Sequence, residues 1–137
     1  MEEDRLILVD TNIFLEYFLG QKRSDECEEL LAQLSRGDVE GVVTRFSLHS
    51  IEAVFRSDLL VAFLGNVDRS LGLSVYDTDT AEESQVADVA NEMGLDFHDA
   101  MQFYVARKLR VECIVTFDKH FDGLDVRRAE PKNLVKQ

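Results

Sequence analysis

The stretch "LILVDTNIF", residues 6–14, sets four apolar residues directly against Asp10, Thr11 and Asn12, then turns apolar again at Ile13 and Phe14. A run of Val, Ile and Leu that short, bounded by a polar trio, reads as a buried strand and not as a helix. That strand ends on a carboxylate. In open α/β sheets ligands bind beyond the carboxyl ends of the strands, so Asp10 stands where such a fold places its chemistry.

Working outward, residues 12–19 read as helical. From Ser24 to Leu34 the apolar positions Cys27, Leu30, Leu31 and Leu34 follow helical spacing, with Ser24 as the expected cap and Gly37 as the stop. A strand over Gly41–Thr44 leads into a long helical segment with Leu48, Ile51, Phe55, Leu59, Ala62 and Phe63 on one face and an expected break near Ser57. Leu73–Tyr76 reads as a strand. Thr78 or Asp79 then caps a helix that buries Val86, Val89, Ala90 and Met93 and stops at Gly94. A central helix is expected over His98–Leu109, a strand over Glu112–Val115 and a last short strand near Val126. Strands alternating with helices imply right-handed crossovers and a three-layer α/β/α sandwich on a mainly parallel sheet.

A length of 137 residues, 45% of them hydrophobic and including nine Phe, suits one domain over 1–137 and excludes a disordered chain. No run approaches the roughly 18 consecutive apolar residues of a membrane span, and the acidic start has the wrong sign for a secretory signal. A soluble, cytoplasmic protein is expected, without a membrane partner. Cys27 and Cys113 lie far apart, in no metal-like spacing, and are expected as buried thiols. The net charge of −12 runs against phosphate binding, but basic clusters remain at Lys22 and Arg23, at Arg107, Lys108 and Arg110, and at Arg127 and Arg128.

Acids recur where the chemistry should be. Asp10 closes the first strand, and Asp118 follows the strand that ends at Val115. Glu52 sits in "SLHSIEAVF" beside Ile51, Val54 and Phe55, which are expected to face the core, and Asp99 opens the central helix. Crowded carboxylates must take up protons or bind a cation, and hard divalent ions prefer oxygen ligands. An acidic cluster expected to lack nearby His or Cys ligands favours Mg2+ or Mn2+ over zinc, and the reaction it implies is phosphodiester hydrolysis. The plainer readings make Asp10 and Asp99 helix caps, Glu52 a surface residue and Asp118 a loop acid. Thr11, Asn12 and Thr116 then become turn or cap residues, and His49, His98 and His120 solvent-exposed.

Together "LVDTNIFLEYF", "SLHSIEAVF", "LDFHDAMQFYVARKL" and "CIVTFDKHFDGL" resemble, in order and over nearly the whole chain, the four acidic motifs of PIN-domain ribonucleases. The resemblance implies an endoribonuclease dependent on Mg2+ or Mn2+, acting on RNA. It makes Asp10, Glu52 and Asp99 the core metal ligands and Asp118 the acid that completes the quartet. It also implies that Thr11 and Asn12 orient the first carboxylate and that Thr116 does so near the fourth. Stand-alone domains of this size are similar to VapC-type toxins, which are silenced by a small antitoxin and form homodimers.

Two other classes compete. A catalytically inactive PIN-like module would bind RNA or protein without turnover. A phosphoacceptor receiver domain also gathers acids and Mg2+ at strand ends, but it pairs adjacent acids after its first strand, where this chain has Asp10, Thr11 and Asn12. A haloacid-dehalogenase-like phosphatase requires a second Asp two residues after the first, and Asn12 stands there.

Overall fold

The computed structural model describes residues 5–134. The elements run β1 (Leu6–Val9), α1 (Thr11–Phe18), α2 (Ser24–Arg36), β2 (Glu40–Thr44), α3 (Arg45–Glu52), α4 (Ser57–Arg69), β3 (Leu73–Tyr76), α5 (Thr80–Met93), α6 (Phe97–Leu109), β4 (Cys113–Val115) and β5 (Arg128–Ala129), with short 3-10 turns at Lys119–Phe121 and Pro131–Asn133. All five strands are parallel, in the order β3-β2-β1-β4-β5. The order reverses beside β1, whose neighbours are β2 and β4, so the crevice expected at such a reversal opens between the ends of β1 and β4. A receiver domain has the order 2-1-3-4-5, and this topology excludes it.

Side chains alternate across a strand, and the short β1 shows how that builds three layers. Ile7 and Val9 enter a core with Phe14, Leu30, Leu34, Leu48, Ile51 and Phe63, while Leu8 joins Val42, Ile114, Val86, Met101 and Val105 on the opposite face. Helices α1 to α4 therefore cover one face, and α5 and α6 cover the other.

Local chemistry moves several expected boundaries. The side chain of Ser24 does not cap α2. Arg23 holds the cap position, and its N–H donates to the Glu16 carboxylate at 2.6 Å while Ser24 N donates to Gln21 O at 3.0 Å, so backbone bonds turn the chain into the helix. The long helix breaks over residues 53–56. Phe55 folds inward to meet Phe63 edge-on at 5.6 Å, and Phe63 also meets Phe14 and Phe18, each at 5.5 Å. This break resets the helical phase. Val54 and Ala62, expected on the core face, are exposed, while α4 buries Phe63, as expected, and also Val67. Met93 is likewise exposed, at the open end of α5. The last strand lies at Arg128–Ala129, two residues beyond Val126, because Ile114 N donates to Arg127 O and Thr116 N to Ala129 O. Cys27 and Cys113 are buried free thiols, pushed up to about 12 and about 11 by burial, and so are inert as nucleophiles.

Gly72 sits where β3 enters the sheet and α2 ends. Its N–H donates to Leu34 O at 2.8 Å and its carbonyl accepts from Gly41 N at 2.7 Å. A Cβ at Gly72 would lie 2.1 Å from Val39 O and 2.9 Å from Leu34 O, both backbone atoms that cannot move aside without breaking this junction. Gly72→Ala is therefore expected to destabilise the protein by about 3 kcal/mol, the upper end of ordinary overpacking costs. Urea denaturation checks this, and an unchanged midpoint would contradict it.

Candidate functional site

Asp10 extends β1 by one residue, with its N–H donating to Val115 O at 3.0 Å, and its side chain is 2% exposed. A carboxylate so far from water needs donors, and three reach it. Oδ1 accepts from Thr11 N at 2.8 Å and from Gln102 Nε2 at 2.7 Å, and Oδ2 accepts from Thr116 Oγ1 at 2.7 Å. Asp10 thus caps α1 as the plainer reading held. It also keeps acceptor capacity on the rim.

Thr116, fully buried just past β4, is the bridge between the first and fourth acids. Its hydroxyl donates to Asp10 and accepts from Asn12 Nδ2 at 2.9 Å and from Asp118 N at 3.0 Å. Asn12 Oδ1 accepts from Phe117 N at 3.3 Å, so Asn12 acts on Asp10 through Thr116 and fixes the loop that carries Asp118. Thr11 meets Asp10 through its backbone N–H and not its hydroxyl, which turns to Ser47 Oγ at 2.9 Å and His98 Nε2 at 3.0 Å.

Asp96, not Asp99, caps α6, accepting from Asp99 N at 2.8 Å. Asp99 is thereby free of capping duty, yet it is 6% exposed. Asp118 caps the following 3-10 turn, which swings His120 back toward both acids. His120 Nδ1 lies 3.1 Å from Asp118 Oδ1 and 3.4 Å from Asp99 Oδ2, and one ligand atom from each of the three lies within 4.8 Å of the others. Such a group can hold a cation with mixed nitrogen and oxygen donors, which corrects the expectation of a site without a nearby His. His98 is also not the solvent-exposed residue expected. Its ring packs beside Phe46 at 5.7 Å, with Nε2 3.8 Å from Asp10 Oδ1.

Glu52 is turned to a neighbour on its own helix. It ends α3, partly exposed, with Oε1 3.0 Å from His49 Nδ1. Helix phase explains this. Ser47 and Ile51 face the sheet, and the next residue is turned by about 100° at 3.6 residues per turn.

Sequence reasoning passed over Gln102, Ser47 and Thr44. All three are buried, and they form one hydrogen-bonded group beneath Asp10. Gln102 left a signal, as a polar residue one helical turn after Asp99 on a helix that is otherwise apolar at its centre. The loop above is held from the other side. Arg23 stacks on Phe117 at 4.1 Å, Arg128 donates to Thr116 O at 3.2 Å, and both pair with Glu130, whose carboxyl is lowered to about 2 by these two guanidinium groups.

Burial first, and then the charges of Asp96, Asp118 and Asp10, raise the Asp99 carboxyl above its ordinary range, with His98 opposing. An unfolded chain releases this proton first, so metal-free stability falls as pH rises through the raised value. Asp99→Asn removes that loss. Thermal melts in chelator should show the variant melting above wild type at neutral pH, with the gap closing toward pH 3. Equal melting at neutral pH would contradict the crowding.

The PIN-domain family profile matches residues 6–120. Among solved structures the chain is similar to the Mycobacterium tuberculosis VapC20, a Sarcin-Ricin loop cleaving toxin, at 20% identity and a TM-score of 0.71, over 91% of this chain and 99% of that one. It is similar to a toxin-antitoxin complex from Klebsiella pneumoniae at 16% identity and a TM-score of 0.70, over 91% and 97%. VapBC2 from Rickettsia felis, bound to a promoter DNA fragment, follows at 14% identity and a TM-score of 0.64, over 91% and 98%. A comparison with curated proteins gives no significant match. The structural likenesses, at these identities, speak for the fold, and the family match spans most of the chain: this protein belongs to the PIN-domain family.

Proposed function

We propose that the protein is a divalent-metal-dependent endoribonuclease that hydrolyses RNA phosphodiester bonds, acting in the cytoplasm as the toxin of a toxin-antitoxin pair. The observation that carries this reading is the gathering of Asp10, Asp99 and Asp118 at the strand-order reversal, on a scaffold of buried donors. Family membership supports it. So do the neighbours, one of which is a Sarcin-Ricin loop cleaving toxin and another a toxin-antitoxin complex.

The residues fit a cation on their own chemistry. Asp99 is pressed by burial and by like charge, a penalty that a positive ion would remove. Asp99 and Asp118 offer oxygens suited to Mg2+ or Mn2+, His120 adds a nitrogen that Mn2+ accepts more readily, and Asp10, tied to Asp118 through Thr116, would add a further oxygen. Bound there, a divalent ion would offset charge building on the phosphate and lower the pKa of a water. Asp118 and His120, on the open side, meet the incoming phosphate first. Asp10 and Thr116, sealed from solvent, hold the inner wall in one geometry. Glu52, beside His49 at the end of α3, is the fourth acid of this reading.

An acidic chain must still attract RNA. With a net charge of −12, binding depends on local basic clusters, and pairing two copies would pool them in one groove. A small antitoxin then silences the assembly, a reading supported by the toxin-antitoxin complex among the neighbours. Static light scattering should report a dimer at working concentration, and a monomer would remove that part of the proposal.

Cleavage of a mixed structured and unstructured RNA pool, with Mn2+, with Mg2+ and with chelator, tests the activity. Wild-type cleavage should require metal. Asp10→Asn and Asp99→Asn should each lose about a hundredfold or more, above the ten- to hundredfold typical of groups that only orient a ligand. Glu52→Gln should lose activity as well, and an unchanged rate there would remove Glu52 alone from the set of acids. Cleavage that survives chelation, or full activity in Asp10→Asn, would overturn the reading. Tight metal binding without cleavage of any RNA would favour a binding module.

A further inference from the structure

Gln102 is fully buried on α6, a residue type that seldom enters a core without a task, and every polar atom of its amide is in use. One N–H donates to Asp10 Oδ1 at 2.7 Å and the other to Ser47 Oγ at 3.2 Å, while Oε1 accepts from Thr44 Oγ1 at 3.2 Å. These partners fix which way the amide faces. Turned over, it would set its carbonyl oxygen against a carboxylate oxygen at hydrogen-bond distance, with no proton between them.

A carboxylate offers about four lone-pair sites. In Asp10, Oδ1 uses two, on Thr11 N and Gln102 Nε2, and Oδ2 uses one, on Thr116 Oγ1. The remaining acceptor site is on Oδ2. Gln102 follows Asp99 by three residues, so both lie on one face of α6. The same helix that carries Asp99 to the rim thus grips Asp10 from below.

We infer that Gln102 is the positioning residue of this site: it locks the Asp10 carboxylate so that Oδ2, not Oδ1, is left to meet a cation, and it ties α6 to β1 so that Asp10 and Asp99 keep one spacing. The inference rests on the proposed reading that Asp10 faces a divalent ion. Thr11 supplies its donor through the backbone and Thr116 through a hydroxyl shared with Asn12 and Asp118, which leaves Gln102 as the side chain joining the helix of one acid to the strand of the other.

The test is Mn2+ binding by titration calorimetry on the full chain, for wild type, Asp10→Asn and Gln102→Met, beside metal-free melting of each. Methionine keeps the length and volume and removes the donor. Gln102→Met should bind Mn2+ about ten- to hundredfold more weakly, the range for partners that orient a metal ligand, and should also melt lower without metal, because Asp10, Ser47 and Thr44 each lose a buried partner. A merely structural role would move the melting and spare the affinity. Affinity within twofold of wild type in Gln102→Met, with Asp10→Asn impaired, would overturn the inference alone. No binding in wild type, or equal binding in Asp10→Asn, would overturn the underlying reading and the inference with it. Should Gln102→Met not fold, the wild-type side-chain amide decides by NMR. Slow solvent exchange that persists on saturation with Mg2+ supports the bond to Asp10, and exchange as fast as that of the exposed Gln85 overturns it.

Discussion

A carboxylate 2% exposed at the end of a buried strand is the constraint on which the rest of the structure depends. An ionised group there is costly unless hydrogen-bonded, and β1 cannot supply the donors itself. They come from three directions: Thr11 from α1, Gln102 from α6 and Thr116 from the end of β4. Satisfying Asp10 therefore fixes how α6 lies over the sheet and where the chain leaves β4. That exit in turn sets Asp118 and, through the 3-10 turn, His120.

The two faces of the site carry opposite electrostatic characters. Beneath, every buried polar atom of Gln102, Ser47, Thr44 and Thr116 is paired, and such a network rigidifies one arrangement. Above, Asp99 faces Asp96, Asp118 and Asp10, with the charge of His98 opposing them. The fold thus holds repulsion at its rim with hydrogen bonds from below. A protein selected for stability alone would not keep these acids together, whereas one that needs a cation gains a preformed cradle.

Much of the fold was legible because short, strongly apolar strands leave little ambiguity. The runs Leu6–Val9 and Leu73–Tyr76 match their observed strands, and Gly37 and Gly94 end their helices in the left-handed conformation. Errors arose where a tertiary contact overrode local pattern. The break expected near Ser57 came at residues 53–56, where Phe55 leaves the helix for Phe63, and Val54 and Ala62 are exposed and not on the core face. In the site, the acids at strand ends and at the start of α6 were readable from position alone. Glu52 was readable only as an acid beside core residues, because helix phase as well as proximity to Ile51 decides where a side chain points. Gln102 was passed over although it stands one turn after Asp99, because its partner Asp10 is about ninety residues away, and the approach of the exposed His120 to Asp99, about twenty residues away, depends on the turn after Asp118.

The central claim is that this rim, among the many acidic stretches of a chain with net charge −12, is the one that collects a divalent ion. Paramagnetic broadening of backbone amide signals on adding substoichiometric Mn2+ tests it most directly. The account predicts loss of signal centred on Asp10, Asp99, Asp118 and His120, reversed by chelator. Broadening centred instead on the acidic surface of α2, around Glu26 and Glu29, or spread evenly over the acidic residues, would contradict it.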